Sequence, residues 1–455
     1  MMQAAIITGE LSGDRIGADL AASLRSAVPD IKLWGIGTEA MRAANVELVA
    51  DSSSWGAISI TEALRKVPSL LLNVAPMIRR EVLARRPDVV VLVDFGAFNV
   101  RLATFCKQNG IATAYYVPPG CWKRDGFASD ALIKNSDLIL TPFEWSLERY
   151  QSRGVPSQFV GHPLLDRQGP SLSREQFADE LGLDFDKPII GLLPGSRAHE
   201  INHLVPVMLD AARMLASTDP GAQFVIGVAP SISAEQMCRF LTTNKDLRDK
   251  FTEIWHELTQ EAEKKIIRPL SRTAGSITRS RQKLLATNGG FIVPEDALHH
   301  TPFRQYRGSS SSELPPVVLA KNLATEVMTY CDALVCCSGT VTLEAAVVGT
   351  PMIIVYRGSK IMEFEYKARG LHRKIAHIGL PNIVLNRRAV PELIQEQASA
   401  QAIAQHISTL LRDITVCQAM KNDFKEIRKL LGAPGASDRA AAAIINLVNN
   451  KRPSA

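Results

Sequence analysis

The sequence AAIITGELSGD, residues 4–14, carries the first evidence for the fold. Its first five residues form a short, mainly apolar run that predicts a buried strand. A glycine-containing turn follows, and apolar residues then recur at helical spacing at Ile16, Leu20 and Leu24. A strand, a glycine turn and an amphipathic helix in this order predict the opening unit of a doubly wound α/β domain.

Further apolar runs along the first half continue this pattern. They alternate with helical stretches, which is typical of a parallel sheet covered by helices on both faces. The runs are Val89–Val93, Ala112–Val117 and Leu138–Leu140. The first half is therefore predicted to be a Rossmann-like domain, which we place at residues 1–165.

The strand, turn and helix pattern restarts at residue 188. An apolar run, Pro188–Leu193, leads into Pro194-Gly195-Ser196-Arg197, and later apolar runs predict the other strands of a second Rossmann-like domain. Those runs are Gln223–Val228, Val317–Leu319, Ala333–Val335 and Met352–Val355. The stretch 161–187 contains Gly, Pro, Asp and Ser, so we predict a linker there and place the second domain at residues 186–435.

The C-terminal stretch is alanine-rich and places Ile444, Ile445 and Val448 on one face, which predicts a helix. We treat residues 436–455 as a separate element that is expected to pack back onto the first domain. The predicted fold class is therefore α/β, with two doubly wound domains facing a central cleft.

Residues 242–312 interrupt the second half with a charged segment that ends in a polar, serine-rich run. This segment is longer than ordinary connections inside a compact domain, so we interpret it as an insertion. Its basic residues suit two interpretations. They bind anionic lipid or nucleic acid, or they belong to a solvated basic loop. We assign it no chemistry. The basic residues are Lys264, Lys265, Arg268, Arg272, Arg279, Arg281 and Lys283.

Composition narrows the class of protein. The 455 residues are 46% hydrophobic and 22% charged, which suits two globular domains and argues against wholesale disorder. The 52 basic and 46 acidic side chains give a net charge of +6, which favours anionic ligands or lipid surfaces over dedicated nucleic-acid binding. The seven cysteines lack paired C-x-x-C spacing, so a reducing compartment is expected.

No charged segment followed by an apolar stretch opens the sequence, and no window approaches the roughly 18 apolar residues of a membrane span. The protein is therefore expected to be cytoplasmic, with peripheral contact to the inner face of the membrane.

Candidate ligand contacts come from motifs that follow strands, because ligands of open parallel sheets bind beyond the carboxyl ends of the strands. The first motif is Gly9–Asp14, where glycine permits close approach and Glu10 and Ser12 offer polar contacts. A tight turn capped by Ser or Asp, without a ligand, would have the same sequence. The motif is not GxGxxG, so no dinucleotide is indicated.

Asp94 directly follows the apolar run Val89–Val93, which places a carboxylate at the carboxyl end of a predicted strand. Such a group can act as a general base that takes the proton of an acceptor hydroxyl. The alternative is that Asp94 caps the next helix.

Arg197 ends the turn that follows the first strand of the second half. An arginine there can make bidentate, charge-assisted contacts to a diphosphate and stabilise the charge on a leaving nucleotide. An ordinary surface salt bridge is the alternative.

The stretch 338–346, SGTVTLEAA, follows the run Ala333–Val335 and gives the strongest nucleotide-binding signal. Ser338, Gly339 and Thr340 form a small polar turn at the start of an apolar helix, whose N-terminal amides can hold phosphate oxygens. Glu344 can reach a ribose diol or complete a capping arrangement.

His162 lies at the predicted domain junction, where it would contact substrate or serve as a hydrogen-bonded structural imidazole. No cluster of metal ligands is evident, because His299-His300 is isolated and the single D-x-D, Asp184-Phe185-Asp186, lies in the predicted linker. Chemistry without a metal or cofactor is predicted.

The segment Trp55–Arg86 mixes apolar and basic residues. This composition suits an element at a membrane interface, and it suits an amphipathic helix of the core equally well.

Eight motifs, taken in order, resemble the motif series of the lipid-A-disaccharide synthase family. They extend along nearly the whole chain outside the insertion. They are GELSGD, VDFGAFN, YYVPPGCW, FVGHPLLD, LLPGSR, SGTVTLEAA, PMIIVYR and LPNIVLNR.

The resemblance implies a GT-B architecture and an inverting, metal-independent glycosyltransferase. The implied substrates are a UDP-diacylglucosamine donor and an acylated glucosamine 1-phosphate acceptor, which yield a β-1,6-linked disaccharide and UDP. The implied location is the membrane inner face, without nucleic acid as a partner, and a homodimer is one possible assembly.

The resemblance also assigns residues. The essential aspartate of the family falls on Asp94, where it acts as base or orients the base, and its essential arginine falls on Arg197, which together with the turn at Ser338 holds the UDP diphosphate. Glu10 is the second candidate catalytic residue. The other matched cleft positions, which are expected to bind substrate or UDP, are Ser12, Ser338, Gly339, Thr340, Glu344 and Asn382.

Some positions depart from the family pattern. Ala97 stands where the aspartate motif usually has a second acidic residue, the run Val117–Arg124 differs from the usual aromatic-rich run, and the insertion is foreign. The alternatives are a divergent paralogue acting on another lipid-linked sugar, a UDP-N-acetylglucosamine 2-epimerase, and a non-catalytic protein that binds nucleotide sugars.

Overall fold

The apolar runs of the sequence form the strands of two sheets, one in each of two units. The structure, a computed structural model, describes residues 1–9, 11–53, 55, 73–124, 129–233, 237, 290–292, 317–358 and 376–451. The first unit contains Met1–Arg167 and Arg428–Ala455, and the second contains Gln168–Ile427.

The sheet of the first unit is parallel, with the strand order β3-β2-β1-β4-β5-β6-β7. The direction of strand addition reverses between β1 and β4, which is the position where open sheets of this kind bind ligands. The strands are β1 Gln3–Ile7, β2 Lys32–Gly37, β3 Glu47–Asp51, β4 Val89–Val93, β5 Ala112–Tyr116, β6 Leu138–Thr141 and β7 Ser157–Phe159.

Helices cover both faces of this sheet, and the two residues that end β5 illustrate the division. Tyr115 packs into the core on one face together with Leu102, and Tyr116 packs into the core on the other face together with Leu20. The described helices of this part of the chain, before residue 168, are α1 Leu11–Ala27, α2 Glu39–Ala43, α3 Ala75–Arg85, α4 Gly96–Gln108, α5 Asp130–Asn135 and α6 Leu147–Gln151.

The second unit repeats the plan with the strand order β10-β11-β9-β8-β12-β13-β14. Its strands are parallel except β10, which pairs antiparallel with β11, and the order reverses between β8 and β12. The strands are β8 Ile189–Leu193, β9 Gln223–Val228, β10 Gly290–Ile292, β11 Val317–Lys321, β12 Ala333–Cys337, β13 Met352–Tyr356 and β14 Glu392–Ile394.

The described helices of the second unit alternate with these strands. They are α7 Arg174–Leu181, α8 Ala198–Thr218, α9 Ala324–Tyr330, α10 Thr340–Val348, α11 Leu380–Leu385, α12 Ala400–Arg412 and α13 Ile414–Leu430, whose last turn passes into the first unit.

Residues 168–185, expected to be a linker, belong to the second unit. The backbone amide and hydroxyl of Ser171 both donate to Glu326 Oε1 at 2.7 Å. Phe177 of α7 is fully buried, and its ring centroid lies 5.4 Å from that of Tyr330. These contacts fix the segment to α9, so the second unit begins at Gln168 rather than at residue 186.

The C-terminal helix α14, Ala436–Lys451, belongs to the first unit. Its residues Ala440, Ile444 and Val448 are buried in the same apolar cluster as Leu20 and Leu24 of α1. At its other end, the Lys451 ammonium lies 2.8 Å from a carboxylate oxygen of Asp137.

Asp166 caps the N-terminus of α14 from a distant part of the sequence. Its carboxylate accepts hydrogen bonds from the backbone amides of Gly435, Ala436 and Ser437, at 2.5 to 3.1 Å. These amides have no partner within the helix, and a carboxylate interacts favourably with the helix dipole there.

Replacing Asp166 with Ala is therefore expected to lower the free energy of unfolding by about 1 to 3 kcal/mol. Urea unfolding followed by circular dichroism measures this change, with the exposed Asp30→Ala as a matched control. Equal stability of the two variants would show that the cap contributes nothing.

Only part of the predicted interfacial segment Trp55–Arg86 is described, because residues 56–72 lie outside the described residues. In α3, Ile78 and Val82 are buried in the core, and Arg85 pairs with Glu47 at 2.8 Å. The insertion 242–312 lies outside the described residues except for β10. Among the described helices, none is both long and apolar enough to cross a bilayer.

Candidate active site

Two of the predicted motifs meet at the point where the strand order of the first sheet reverses. Gly9 follows β1, and Asp94 follows β4, its neighbour in the sheet. A Cβ atom added to Gly9 would lie 2.0 Å from Cγ of Phe95, so the phenylalanine ring rests directly on the glycine backbone. Any larger residue at position 9 would displace Phe95 and, with it, the loop that carries Asp94.

The backbone around Asp94 has an unusual conformation. Asp94 and Phe95 have φ angles of 47° and 48°, in the left-handed region that residues with a side chain rarely adopt. The Asp94 carbonyl accepts hydrogen bonds from the Tyr115 hydroxyl and from the side-chain amide of Asn99. The backbone amide of Asp94 donates to the Tyr116 carbonyl. Phe95, not Asp94, stands at the N-cap position of α4. The half-buried Asp94 thus lies in a strained, well-supported loop, as is common for residues of active sites.

The loop after β5 lies next to this one. Val117 has a φ angle of 54°, which is a genuine outlier for a β-branched residue, and a Cβ on Gly96 would lie 3.1 Å from Cβ of Pro119. Burial raises the pKa of the Cys121 thiol, and the nearby charge of Asp94 raises it further. Trp122 is more than a third exposed at the end of the loop.

The polar residues of the first motif, Gly9–Asp14, have different surroundings in the structure. Ser12 is half-buried as the second residue of α1, and Glu10 lies outside the described residues. Asp14 is buried, and its carboxylate accepts hydrogen bonds from Thr38 and from the Ala40 amide. Asp14 therefore joins α1 to the start of α2.

In the second unit, Arg197 follows β8 at the reversal point of that sheet. Gly195 has a φ angle of 109°, and a Cβ there would lie 2.2 Å from Oε2 of Glu200. The buried Glu200 carboxylate accepts from the backbone amides of Ser196 and Arg197 and lies 3.2 Å from the Arg197 guanidinium. The Arg197 side chain keeps 31% of its surface exposed, so the pairing orients the guanidinium without enclosing it.

The SGT turn follows β12, the neighbour of β8 across the reversal point. Gly339 and Thr340 are exposed at the start of the nine-residue helix α10, and Ser338 donates to the carbonyl of Ile378 at 3.0 Å. Glu344 is half-buried one turn further along α10. The structure thus places the two candidate phosphate-binding turns of this unit at adjacent strand ends.

Asn382 is fully buried, and its amide is occupied within the unit. Its nitrogen donates to the carbonyl of Val390 and to Glu392, and its oxygen accepts from the amides of Ala389 and Val390, each at 2.8 Å. Glu392 also accepts from the amides of Ile378 and Gly379. In this arrangement Asn382 shapes the loops around α11, and it has no donor or acceptor left for a ligand.

His162 is also buried and has the arrangement of a structural imidazole. Its Nδ1 accepts from the Leu164 amide at 3.1 Å, and its own amide donates to the Leu431 carbonyl. Burial lowers its pKa from 6.5 to about 3; Arg167 adds to this shift and Asp166 opposes it. The imidazole is therefore neutral at pH 7.

This neutral histidine makes the folded state sensitive to acid. The unfolded chain takes up the His162 proton near pH 6.5, whereas the folded chain does so only near pH 3, so stability falls as pH decreases through this interval. His162→Asn retains an acceptor for the Leu164 amide but cannot titrate. Relative to this variant, the wild type is expected to lose about 1.4 kcal/mol per pH unit below pH 6.5. Urea unfolding at pH 7 and pH 5 tests this, and parallel losses in both proteins would contradict it.

Comparison of the sequence with known proteins identifies its family. A family model described as lipid-A-disaccharide synthetase matches residues 4–267 and 293–445. The chain belongs to the lipid-A-disaccharide synthetase family. The lipid-A-disaccharide synthase of Geobacter metallireducens is 31% identical over 98% of this chain and 97% of its own length. That of Trichlorobacter lovleyi is 32% identical over 97% of each chain. The chain is therefore a glycosyltransferase.

Solved structures show the same fold at low sequence identity. A glycosyltransferase of kitacinnamycin is 12% identical, with a TM-score of 0.57 over 98% of this chain and 99% of its own. The calicheamicin glycosyltransferase CalG4 is 13% identical, with a TM-score of 0.51 over 99% and 100%. A UDP-N-acetylglucosamine 2-epimerase is 11% identical, with a TM-score of 0.50 over 100% and 98%. The predicted α/β fold class with two Rossmann-like domains of the GT-B type is confirmed.

The hydrogen bonds of the structure identify two supporting residues that the sequence analysis did not single out. Glu200 and Asn99 hold the loops of Arg197 and Asp94, respectively. The spacing of Arg197 and Glu200, three residues apart at a helix start, is a signal that could have identified that pair. The sequence does not identify the role of Asn99, because its side chain donates to backbone carbonyls at the ends of β1 and β4 and in the Asp94 loop.

Proposed function

We propose that the chain transfers diacylglucosamine from its UDP derivative to an acylated glucosamine 1-phosphate, forming a β-1,6-linked disaccharide and UDP with inversion at the anomeric carbon. Family membership supports this proposal. The observation that carries it is that each sheet has suitable polar groups where its strand order reverses. In the first unit this is the loop with the Asp94 carboxylate, and in the second it is the turn with Arg197 beside a helix N-terminus.

The second unit is proposed to bind the donor. Gly339 and Thr340 are exposed at the start of α10, where the helix dipole and the N-terminal amides favour a diphosphate. Arg197, oriented by Glu200, lies at the adjacent strand end and supplies charge-assisted hydrogen bonds. Glu344 is proposed to contact the ribose diol.

The first unit is proposed to supply the base. In a single displacement, the acceptor 6-hydroxyl oxygen forms a bond to the anomeric carbon while the bond from that carbon to the UDP oxygen breaks. Asp94 receives the hydroxyl proton, and UDP leaves with the bonding electron pair. Attack opposite the leaving group inverts the anomeric carbon, and Arg197 stabilises the charge that develops on UDP. Glu10 and Ser12 are proposed to assist at the acceptor side.

Because both proposed substrates carry acyl chains, we place the reaction at the cytoplasmic face of the membrane, with the protein bound peripherally. Co-sedimentation with anionic lipid vesicles tests this placement. Protein that stays in the supernatant at low salt would contradict it.

The activity is tested by incubating the purified protein with UDP-diacylglucosamine and acylated glucosamine 1-phosphate. Release of UDP together with a disaccharide of the summed mass is the expected result. Folded protein that binds UDP but yields no disaccharide would overturn the proposal. Incubation with UDP-N-acetylglucosamine in parallel, with analysis for the 2-epimer, tests the epimerase alternative.

A further inference from the structure

Two buried polar side chains, Asn99 and Tyr115, hold the loop that carries Asp94. Neither is exposed to solvent, and neither contributes an atom to the proposed displacement. Their contacts converge on one backbone carbonyl, that of Asp94 itself.

Asn99 spans the gap where the strand order reverses. Its amide nitrogen lies 3.3 Å from the Ile7 carbonyl at the end of β1 and 3.2 Å from the Val93 carbonyl at the end of β4. The same nitrogen lies 3.1 Å from the Asp94 carbonyl. One side chain from the first turn of α4 therefore ties together both strand ends and the loop.

Tyr115 reaches the Asp94 carbonyl from the neighbouring strand. Its hydroxyl donates to that oxygen at 2.8 Å, from a ring that is completely buried in β5. A carbonyl oxygen has two lone pairs, so Asn99 and Tyr115 together satisfy it.

The next residue is fixed independently. The Phe95 ring lies over Gly9, and its centroid is 5.4 Å from that of Phe98 and 6.1 Å from that of Trp55. Rotation of the peptide plane between Asp94 and Phe95 would break both hydrogen bonds to the Asp94 carbonyl. Both residues then retain φ angles near 47° that an isolated chain would rarely adopt.

We propose that Asn99 and Tyr115 are positioning residues, which hold the Asp94 carboxylate in its reactive orientation by fixing the Asp94 carbonyl. This inference rests on the proposed role of Asp94 as the base. It implies that removing either contact changes the rate only through Asp94.

A double-mutant cycle tests this implication, because it measures whether two residues act through each other. Tyr115→Phe removes only the hydroxyl. Since small misplacements of a reacting group cost up to about 10²-fold, we expect it to lower kcat by roughly 10- to 100-fold with the donor KM unchanged. In an Asp94→Asn background, the same substitution should cost less than about 2-fold, because the misplaced base is already absent.

Tyr116→Phe is the matched control. It removes a buried hydroxyl from the same strand, but its ring packs on the opposite face of the sheet. Its kcat should equal that of the wild type, and it leaves the backbone carbonyl of residue 116 intact. Asn99→Ala should lower kcat in the same way as Tyr115→Phe. If Asn99→Ala does not fold, the kcat of Tyr115→Phe alone tests the positioning role.

Amide hydrogen exchange over residues 93–100 provides a second readout that does not require turnover. We expect exchange in this stretch to be faster in Tyr115→Phe than in the wild type or in Tyr116→Phe. Unchanged exchange would overturn the inference, whatever the activity of the protein.

The outcomes separate the inference from the proposed function. If Asp94→Asn alone retains full activity, the role of Asp94 as base is wrong, and the positioning of a base falls with it. If Asp94→Asn is impaired but Tyr115→Phe costs nothing, or costs equally in both backgrounds, only the positioning inference is overturned.

Discussion

Replacing Asp94 with Asn is expected to lower kcat on the order of 10²- to 10⁴-fold, the contribution of a general base. The side chains have nearly the same shape, and Asn tolerates the left-handed conformation at this position at least as well as Asp. The substitution therefore removes the proton acceptor while leaving the loop in place. Initial rates of UDP release at saturating donor and acceptor measure the effect.

Two further measurements make this result interpretable. UDP affinity, measured by calorimetry, should be unchanged in Asp94→Asn, because the proposed donor site lies in the other unit. Asp30→Asn, at an exposed position of the same unit, should have the wild-type rate. A wild-type rate for Asp94→Asn would remove this residue from the mechanism.

Replacing Arg197 with Ala is expected to lower kcat/KM on the order of 10²- to 10³-fold, as for other groups that stabilise charge in a transition state. The loss has two origins: the contacts to the diphosphate disappear, and the buried Glu200 carboxylate loses its cationic neighbour. UDP binding should weaken in the same variant, in contrast to Asp94→Asn.

Arg197→Lys separates charge from geometry. Lysine retains the charge but cannot reproduce the planar fork that a carboxylate and a diphosphate can both contact. We expect it to recover only a small part of the lost activity. The exposed Arg412→Ala serves as the control for removing an arginine from this unit. Full activity in Arg197→Ala would contradict the proposed donor site.

The strands were predictable because both sheets are buried on both faces. Such strands form nearly unbroken apolar runs, and Val89–Val93 and Gln223–Val228 are observed with the predicted bounds. The predicted run Ala112–Val117 is one residue too long, since Val117 leaves the strand in a left-handed conformation. Apolar composition alone cannot indicate such a turn.

The positions of the site loops were predictable from the sequence, but most of the side chains that hold these loops were not. Local sequence placed Asp94, Arg197 and Ser338 after strands, because the alternation of strand, turn and helix is a local property. Some of the groups that hold them are distant in sequence, such as Tyr115, whose hydroxyl donates to the Asp94 carbonyl from the neighbouring strand. One sequence without a fold contains no record of those distances.

Two candidate residues show that residue type alone does not identify a ligand contact. His162 and Asn382 have side chains that suit ligand binding, but both are buried, and their hydrogen bonds go to backbone groups and, for Asn382, also to the Glu392 carboxylate. Residue type does not distinguish a polar group that supports a loop from one that contacts a ligand, because both require the same donors and acceptors.

The first unit is built from both ends of the chain, and this has a consequence for biosynthesis. On the ribosome, Leu20 and Leu24 emerge early, but Ala440 and Ile444, which cover them, follow only after the whole second unit. At about 5 to 20 residues per second, the apolar groove on the nascent chain stays open on the order of tens of seconds, within reach of chaperones and proteases. A premature stop codon near position 430 would leave that groove uncovered permanently and would cost the enzyme its first unit, although every residue of the proposed chemistry would still be translated.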